Sequence, residues 1–175
     1  MFKIYTLIYD ALDAYPYDLE EAIEALTYAL SYDEKNTVAL CLMGRLHAEK
    51  LLDYEKAKEY FSEALAENIN AIGVYLPYVD VLLWNEDLQE AEKLIDFALT
   101  IKGSDKAVLY TKKANIYEQK QDYKKALSFL KQAKMVTYNN SLLDVIKEEK
   151  ERIKRKLPKK KEKNKKGKNK KKKKK

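Results

Sequence analysis

Small and large apolar residues recur along this chain at helical spacing, in four blocks that share one register. The blocks are Ala22, Leu26 and Ala29; Ala57, Phe61 and Ala64; Ala91, Ile95 and Ala98; and Ala126, Leu130 and Ala133. Each set stands at i, i+4 and i+7, which is one face of an α-helix. Four residues before the first Ala of every block stands an Asp (Asp18, Asp53, Asp87, Asp122), followed by Leu or Tyr. The first Ala recurs at 22, 57, 91 and 126, so the spacing is 35, 34 and 35 residues. A fixed period in this range belongs to a stacked array of supersecondary units, not to a single-core globule.

Asp is a strong N-cap, because its carboxylate accepts from the free N–H groups of a helix's first turn. Each block therefore reads as the start of a helix. Glu21 and Glu90, three residues after Asp18 and Asp87, predict capping-box-like pairs. A partner helix is predicted upstream of each Asp, giving pairs at about 2–14 with 18–32, 37–51 with 54–67, 70–84 with 87–101, and 105–119 with 122–136. Turn-forming residues mark the links: Asp33 to Asn36, Glu67-Asn68, Gly103 to Asp105, and Asn139-Asn140. Pro77 falls inside one predicted helix, where it removes a backbone bond. It implies either a kink or a helix that starts later.

A ninth helix is predicted from Ser141, with Leu142, Leu143, Val145 and Ile146 covering the apolar face of the last pair. Beyond Ile146 the helix reads as solvated, with Glu148–Arg152 and Glu151–Arg155 at a favourable i, i+4 spacing. A repeat array needs such a terminal cap with one wet face. Pro158 stops the helix. Residues 158–175 are nearly all Lys with Asn and Gly, have nothing to bury, and are expected to be disordered. The predicted organisation is a repeat domain over 1–140, a capping helix over 141–157 and a tail over 158–175.

These units resemble tetratricopeptide repeats, over about residues 3–140. The family hallmark Asp-Tyr-x-x-Ala-x-x-x-Phe-x-x-Ala is matched residue for residue from Asp53 to Ala64. The first helices match less well. The family prefers a small residue twelve before the first Ala. Ala114 fits, Val79 is larger, and Asp10 departs outright. Gly44 stands thirteen before Ala57, which places one extra residue in that turn. Tyr117 supplies the aromatic usual in a first helix, and the family's Pro at the end of each unit is absent. The first unit is thus a degenerate copy or an N-terminal helical cap.

The resemblance implies an all-α fold, a right-handed superhelical α-solenoid of antiparallel helix pairs with a C-terminal capping helix. It further implies a concave groove lined mainly by first helices. Aligned to the family's groove positions, unit two offers Arg45 and Glu49, and unit three offers Leu76, Asp80, Leu83 and Trp84. Unit four offers Thr111, Lys112, Asn115 and Gln119. Lys112 and Asn115 fall near positions that clamp a peptide carboxylate in some relatives, but the remaining members of that set are missing. The implied function is a non-enzymatic scaffold or adaptor that takes a protein or peptide partner and needs no cofactor.

Charge changes this picture at one end. The net charge of +7 averages unlike segments: residues 1–100 carry 7 Lys/Arg against 20 Asp/Glu, while residues 158–175 carry 13 Lys against one Glu. The acidic half favours a basic or mixed-charge partner. The tail lysines (Lys159, Lys160, Lys161, Lys163, Lys165, Lys166, Lys168, Lys170 and Lys171) offer a second function, weak and sequence-blind attraction to nucleic acid, a ribosome or an anionic membrane. No Arg or aromatic residue in the tail supports base recognition. In that alternative the repeats are a spacer or dimer module; the sequence leaves the oligomeric state open.

Candidate chemistry adds little. The single His (His47) has no ligating neighbours in sequence, and the single Cys (Cys41) reads as a small core hydrophobe. No nucleophile–His–acid arrangement and no Gly-rich phosphate loop is present. Fourteen Tyr are expected mostly to wedge between helices, Tyr32, Tyr54, Tyr60, Tyr110, Tyr117 and Tyr123 among them. The apolar start of the chain is too short and too interrupted by Asp10 and Asp13 for a signal peptide, and no run reaches the roughly 20 apolar residues of a membrane span. A cytoplasmic location is the expectation.

Overall fold

The computed structural model describes residues 2–158, and the tail lysines named above lie outside the described residues. Helices α1 (Phe2–Ala14) and α2 (Leu19–Tyr32) form the first unit. Helix α3 (Thr37–Leu46), prolonged by a π turn over His47–Leu51, pairs with α4 (Tyr54–Glu67). Helices α5 (Ile72–Trp84) and α6 (Leu88–Ala98) form the third unit, and α7 (Lys106–Gln119) and α8 (Tyr123–Val136) the fourth. Helix α9 (Asn140–Lys156) packs along α8 and touches α7. The first helices α3, α5 and α7, and then α9, meet in succession as one layer, and the second layer (α2, α4, α6 and α8) is held by the first, each of its helices packing on those before and after it. The chain is an all-α helical-repeat solenoid.

All twelve Ala and large apolar residues of the repeated blocks are buried, at 2% exposure or less. They hold the two layers together, so the repeated pattern records how the array is built. Leu30 and Tyr60 each pack against both the first-unit core and the central core, which makes burial continuous across that boundary. Among the Tyr residues expected between helices, Tyr54, Tyr60, Tyr110, Tyr117 and Tyr123 are partly buried. Tyr32 differs: it is exposed, with its hydroxyl accepting from Lys3 Nζ.

Three of the four Asp residues cap their helices as expected. Asp18 accepts from the Glu21 N–H at 3.0 Å, and Asp53 and Asp122 from Lys56 and Lys125 at 3.1 Å. The predicted capping boxes do not form. The backbone N–H of each of the four Asp residues is already taken by the preceding helix: Asp18 by Ala14, Asp53 by His47, Asp87 by Leu82 and Asp122 by Tyr117. No donor is left for a Glu to reach back to. Asp87 makes no capping bond; its carboxylate takes Lys58 Nζ and Asn85 Nδ2, both at 2.8 Å.

Irregular turns absorb the differences in period. Ala11, Gly44, Val79 and Ala114 are all buried in the first-helix layer. Asp10 is exposed, so the first unit places the small residue one position later, at Ala11. The extra residue between Gly44 and Ala57 sits in the π turn at the end of α3, the usual signature of a one-residue insertion in a helix. A left-handed residue then precedes the Asp in units two to four: Leu52 (φ 54°), Glu86 (φ 61°) and Gln121 (φ 59°).

Pro77 lies within α5, which begins at Ile72. Lacking an N–H, it frees the Gly73 carbonyl one turn back. The Cys41 thiol approaches that carbonyl at 3.9 Å, and burial pushes the thiol up to about 11.

The last helix is joined more tightly than its sequence suggested. Ile146 is buried as expected, but so is Ile153, one heptad further on. The predicted pairing of Arg152 with Glu148 is replaced by a contact between helices. Arg152 Nε and Nη2 reach the two carboxylate oxygens of Glu118 on α7 at 3.1 and 2.7 Å. Lys156 adds a third contact at 2.8 Å, and Glu151 pairs with Lys154 instead of Arg155.

Candidate functional site

A cleft of about 240 Å³ opens between α3 and α5 in the first-helix layer. Arg45 and Glu49 come from α3 and its π turn, while Leu76, Asp80 and Trp84 come from successive turns of α5. Phe61 and Val81, both buried, close the floor, and Pro77 stands in the wall. Trp84 is half exposed, with its ring 6.1 Å from Tyr54.

At the N-terminal edge the polar groups are locked together. Arg45 Nε donates to Glu49 Oε1 at 3.0 Å, the Tyr15 hydroxyl donates to Glu49 Oε2, and the Arg45 guanidinium lies 5.7 Å from the Tyr15 ring centre. Burial and the adjacent Glu49 carboxylate push the Tyr15 hydroxyl up to about 12. Burial also works to raise Glu49, but the Tyr15 and Arg45 donors outweigh it and hold the carboxyl below its ordinary value. A second, much smaller and more enclosed depression, lined by Leu12, Tyr15, Leu42 and Arg45, lies between this cleft and α1.

Towards the C-terminal side, Asp80 is paired with Lys112 across α5 and α7. Asn115 and Gln119 are bonded to each other along α7, Gln119 Nε2 donating to Asn115 Oδ1 at 2.7 Å. Thr111 is turned inward and gives its hydroxyl to the Ala107 carbonyl. Leu83 packs against the central core. The structure thus brings Arg45, Glu49, Leu76, Asp80 and Trp84 to one cleft and adds Lys112 through Asp80. It sets Asn115 and Gln119 further along α7 and puts Thr111 inside.

Sequence reasoning missed Tyr15 and Phe61 as groove-forming residues. Tyr15 follows α1 in the least regular unit, and only its 34-residue separation from Glu49, one repeat, marks it afterwards. The charges of the groove largely cancel in pairs, Arg45 with Glu49 and Lys112 with Asp80. Glu20, Glu24 and Glu63, by contrast, form no ion pair among the described residues and lie exposed on second helices.

The described residues contain no group of three or more His, Cys, Asp and Glu placed to hold a metal ion. None of their helices is long and apolar enough to cross a membrane.

Comparison with known proteins agrees with this architecture. A family model described as Tetratricopeptide repeat protein 21 ARM repeat matches residues 3–142. No curated protein matches the chain. Among solved structures, pilF of Pseudomonas aeruginosa superposes with a TM-score of 0.72 at 16% identity, over 89% of this chain and 73% of that one. A thermophilic tetratricopeptide repeat protein of Thermus thermophilus gives 0.67 at 13% identity, over 83% and 80%. A MamA protein gives 0.69 at 14% identity, over 88% and 87%. At these identities the likeness is one of fold.

Proposed function

The chain belongs to the tetratricopeptide repeat protein 21 ARM repeat family, and we propose on that premise that it is a cytoplasmic adaptor holding a protein segment along its first-helix groove. The observation that carries this reading is the open cleft in which a half-exposed Trp84 stands beside Leu76, with Asp80 and Arg45 within the same lining. Partly exposed aromatic and Arg side chains are the residues that most often anchor a bound partner. Because the groove charges are already paired, the segment that suits it brings an apolar or aromatic anchor for Trp84 and Leu76. Its polar groups then compete for Asp80 and Arg45. The adaptor reading gives the array no catalytic step.

Affinity capture with the intact chain, followed by crosslinking, tests this. Trp84→Ala combined with Asp80→Ala is expected to lose the captured partner while the helical signal stays unchanged. Equal capture by the double variant removes the groove from the mechanism.

A second reading rests on the 13 Lys of residues 158–175, which continue from a helix whose last turn is Lys154, Arg155 and Lys156. In it the tail holds the protein on a polyanion such as RNA or an anionic membrane. Deleting 159–175 is expected to abolish salt-sensitive retention on RNA while leaving groove capture intact. No change in retention at low salt rejects it.

A further inference from the structure

At the corner where α8 joins α9, exposed apolar side chains stand among unpaired lysines. Met135 is 74% exposed, Val136 46% and Tyr138 99%, all within four residues. Lys131 and Lys134, in the last two turns of α8, are exposed, and α8 contains no acidic residue. Register brings two more lysines to this corner. Helices α7 and α9 both run antiparallel to α8, and Glu118 of α7 bonds Arg152 of α9 34 residues later, so the two helices start side by side. Lys102 and Lys106, exposed at the start of α7, therefore stand beside the start of α9. None of these four lysines has an ion pair or hydrogen bond among the described residues. The carboxylates nearest in sequence are Asp105, which caps α7, and Asp144 on α9.

Other exposed apolar residues keep acidic company. Tyr32 and Val38, at the α2–α3 joint, flank Asp33 and Glu34, and Ile69 and Ile72 follow Glu67 at the α4–α5 joint. Unit one exposes Tyr5, Tyr9 and Tyr17, but beside Asp10, Asp13 and Glu20. Of these surfaces, only the α8–α9 corner is apolar and basic at once.

We propose that this corner docks on an anionic lipid bilayer, with Met135, Val136 and Tyr138 entering the interfacial region and the four lysines lying over the headgroups. The proposal rests on the polyanion reading of the tail and names the polyanion. Nucleic acid would attract the lysines, but its phosphate backbone gives Met135 and Val136 nothing apolar to enter. Tyr favours the membrane–water interface, where its ring is apolar on one side and its hydroxyl wet on the other. Attachment to a bilayer surface grows with the apolar area inserted and with the attraction to anionic lipid. The corner supplies the first, and the 13 Lys of residues 158–175 strengthen the second. Helix α9 is about 25 Å long and the 17 residues after Pro158 reach about 55–60 Å at most, so both can meet one surface. The acidic first units are repelled from that surface. Trp84 ends α5 on the opposite edge of the array, so docking leaves the α3–α5 cleft open to a partner.

Co-sedimentation of the full chain with vesicles of phosphatidylserine and phosphatidylcholine in equal parts tests this, with pure phosphatidylcholine vesicles and RNA for comparison. Retention is expected on the mixed vesicles and not on pure phosphatidylcholine. Met135→Ser with Tyr138→Ser is expected to weaken it about tenfold or more, with retention on RNA and the helical signal unchanged. Lys131→Gln with Lys134→Gln is expected to weaken it about fivefold for each lysine. Tyr138→Trp, made with Trp84→Phe so that it carries the only Trp, is expected to shift its emission to shorter wavelength on mixed vesicles, which contact through the tail alone does not produce. Full vesicle retention by the Met135 and Tyr138 variant, with loss on deletion of 159–175, overturns the corner and leaves the polyanion reading of the tail standing. Retention on RNA without retention on vesicles does the same. Equal retention on both kinds of vesicle overturns the requirement for anionic lipid and with it the proposal. No retention on vesicles or RNA overturns the proposal and the polyanion reading together.

Discussion

Two glycines show how far a residue's role depends on its neighbours. A methyl group at Gly44 would stand 2.9 Å from Phe61 Cε1, so the fully buried Phe61 ring would have to shift. Gly44→Ala is therefore expected to cost about 1–3 kcal/mol through overpacking, although Ala is the better helix former. A methyl at Gly73, inside α5, meets nothing within 4 Å. Gly73→Ala is expected to stabilise by about 0.4–1 kcal/mol. Chemical denaturation of the two variants should move the midpoint in opposite directions. From sequence, both were simply small residues in a first helix. Gly44 was legible as the family's small position, thirteen before Ala57, but the need for Gly there came from the orientation of the Phe61 ring, which no spacing reveals. His47 makes a second test at this scale. Its ring is mostly buried, lies 5.3 Å from Tyr60, and has Nδ1 3.8 Å from Asp53 Oδ2, beyond hydrogen-bond reach. Burial lowers its proton affinity; Asp53 partly restores it and Lys56 opposes it further. A His whose folded value is depressed takes its proton first in the unfolded chain. Its contribution to stability is thus complete above about pH 6.5 and declines as the pH falls below that. As the only His in the chain, it gives one imidazole NMR titration, with a midpoint expected below that of free imidazole.

Elements were the most legible level, and their joints the least. The i, i+4, i+7 sets fixed which face each second helix buries, since only that face can meet two neighbouring helices at once. The ninth helix shows where this reasoning stopped. Its apolar face continues from Ile146 to Ile153, but the charged residues around Ile153 made the stretch read as solvated. What holds them is Glu118, a buried carboxylate on α7 that accepts from Arg152 and Lys156. Burial works to raise Glu118, and the two cations outweigh it, leaving its carboxyl below the ordinary value. Glu118→Gln is expected to cost about 1–3 kcal/mol and to free α9 first. Glu148→Gln, on the exposed stripe, is expected to change stability by less than about 0.5 kcal/mol. The pH dependence follows from the sign of the shift. Stability from a depressed carboxyl is fully present above its unfolded value and disappears as the pH falls through the folded one. Hydrogen exchange in α9 should therefore accelerate on acidification in the native chain, and much less in Glu118→Gln.

At the scale of the whole molecule, the sequence showed an acidic first half, but which carboxylates are free depends on cross-unit neighbours. Asp80 and Glu49 are neutralised in the groove, and Glu67 is paired with Lys35. The uncompensated charge was left on α2 and at Glu63 of α4, away from the groove expected to use it. The same cross-unit contacts define how the array should come apart. Lys35–Glu67, Asp80–Lys112, Tyr15–Glu49 and Glu118–Arg152 each join residues 32 to 34 positions apart, one repeat and no more. Each unit is thus held only by its neighbours, and stability is expected to act as a chain of nearest-neighbour terms. Phe61 is the place to cut that chain. Its ring is fully buried beneath Gly44 and stacks on Tyr78 at 5.6 Å, so it joins units two and three. Phe61→Ala is expected to cost about 3–5 kcal/mol. In a single-core globule that loss would speed hydrogen exchange everywhere by a similar factor. Here exchange should accelerate most from α3 to α5, while α7 to α9, tied by Glu118 to Arg152 and Lys156, keep more of their protection. A uniform acceleration across all nine helices of the described residues would show that the units fold as one cooperative block, and that the 34-residue period governs geometry without dividing stability.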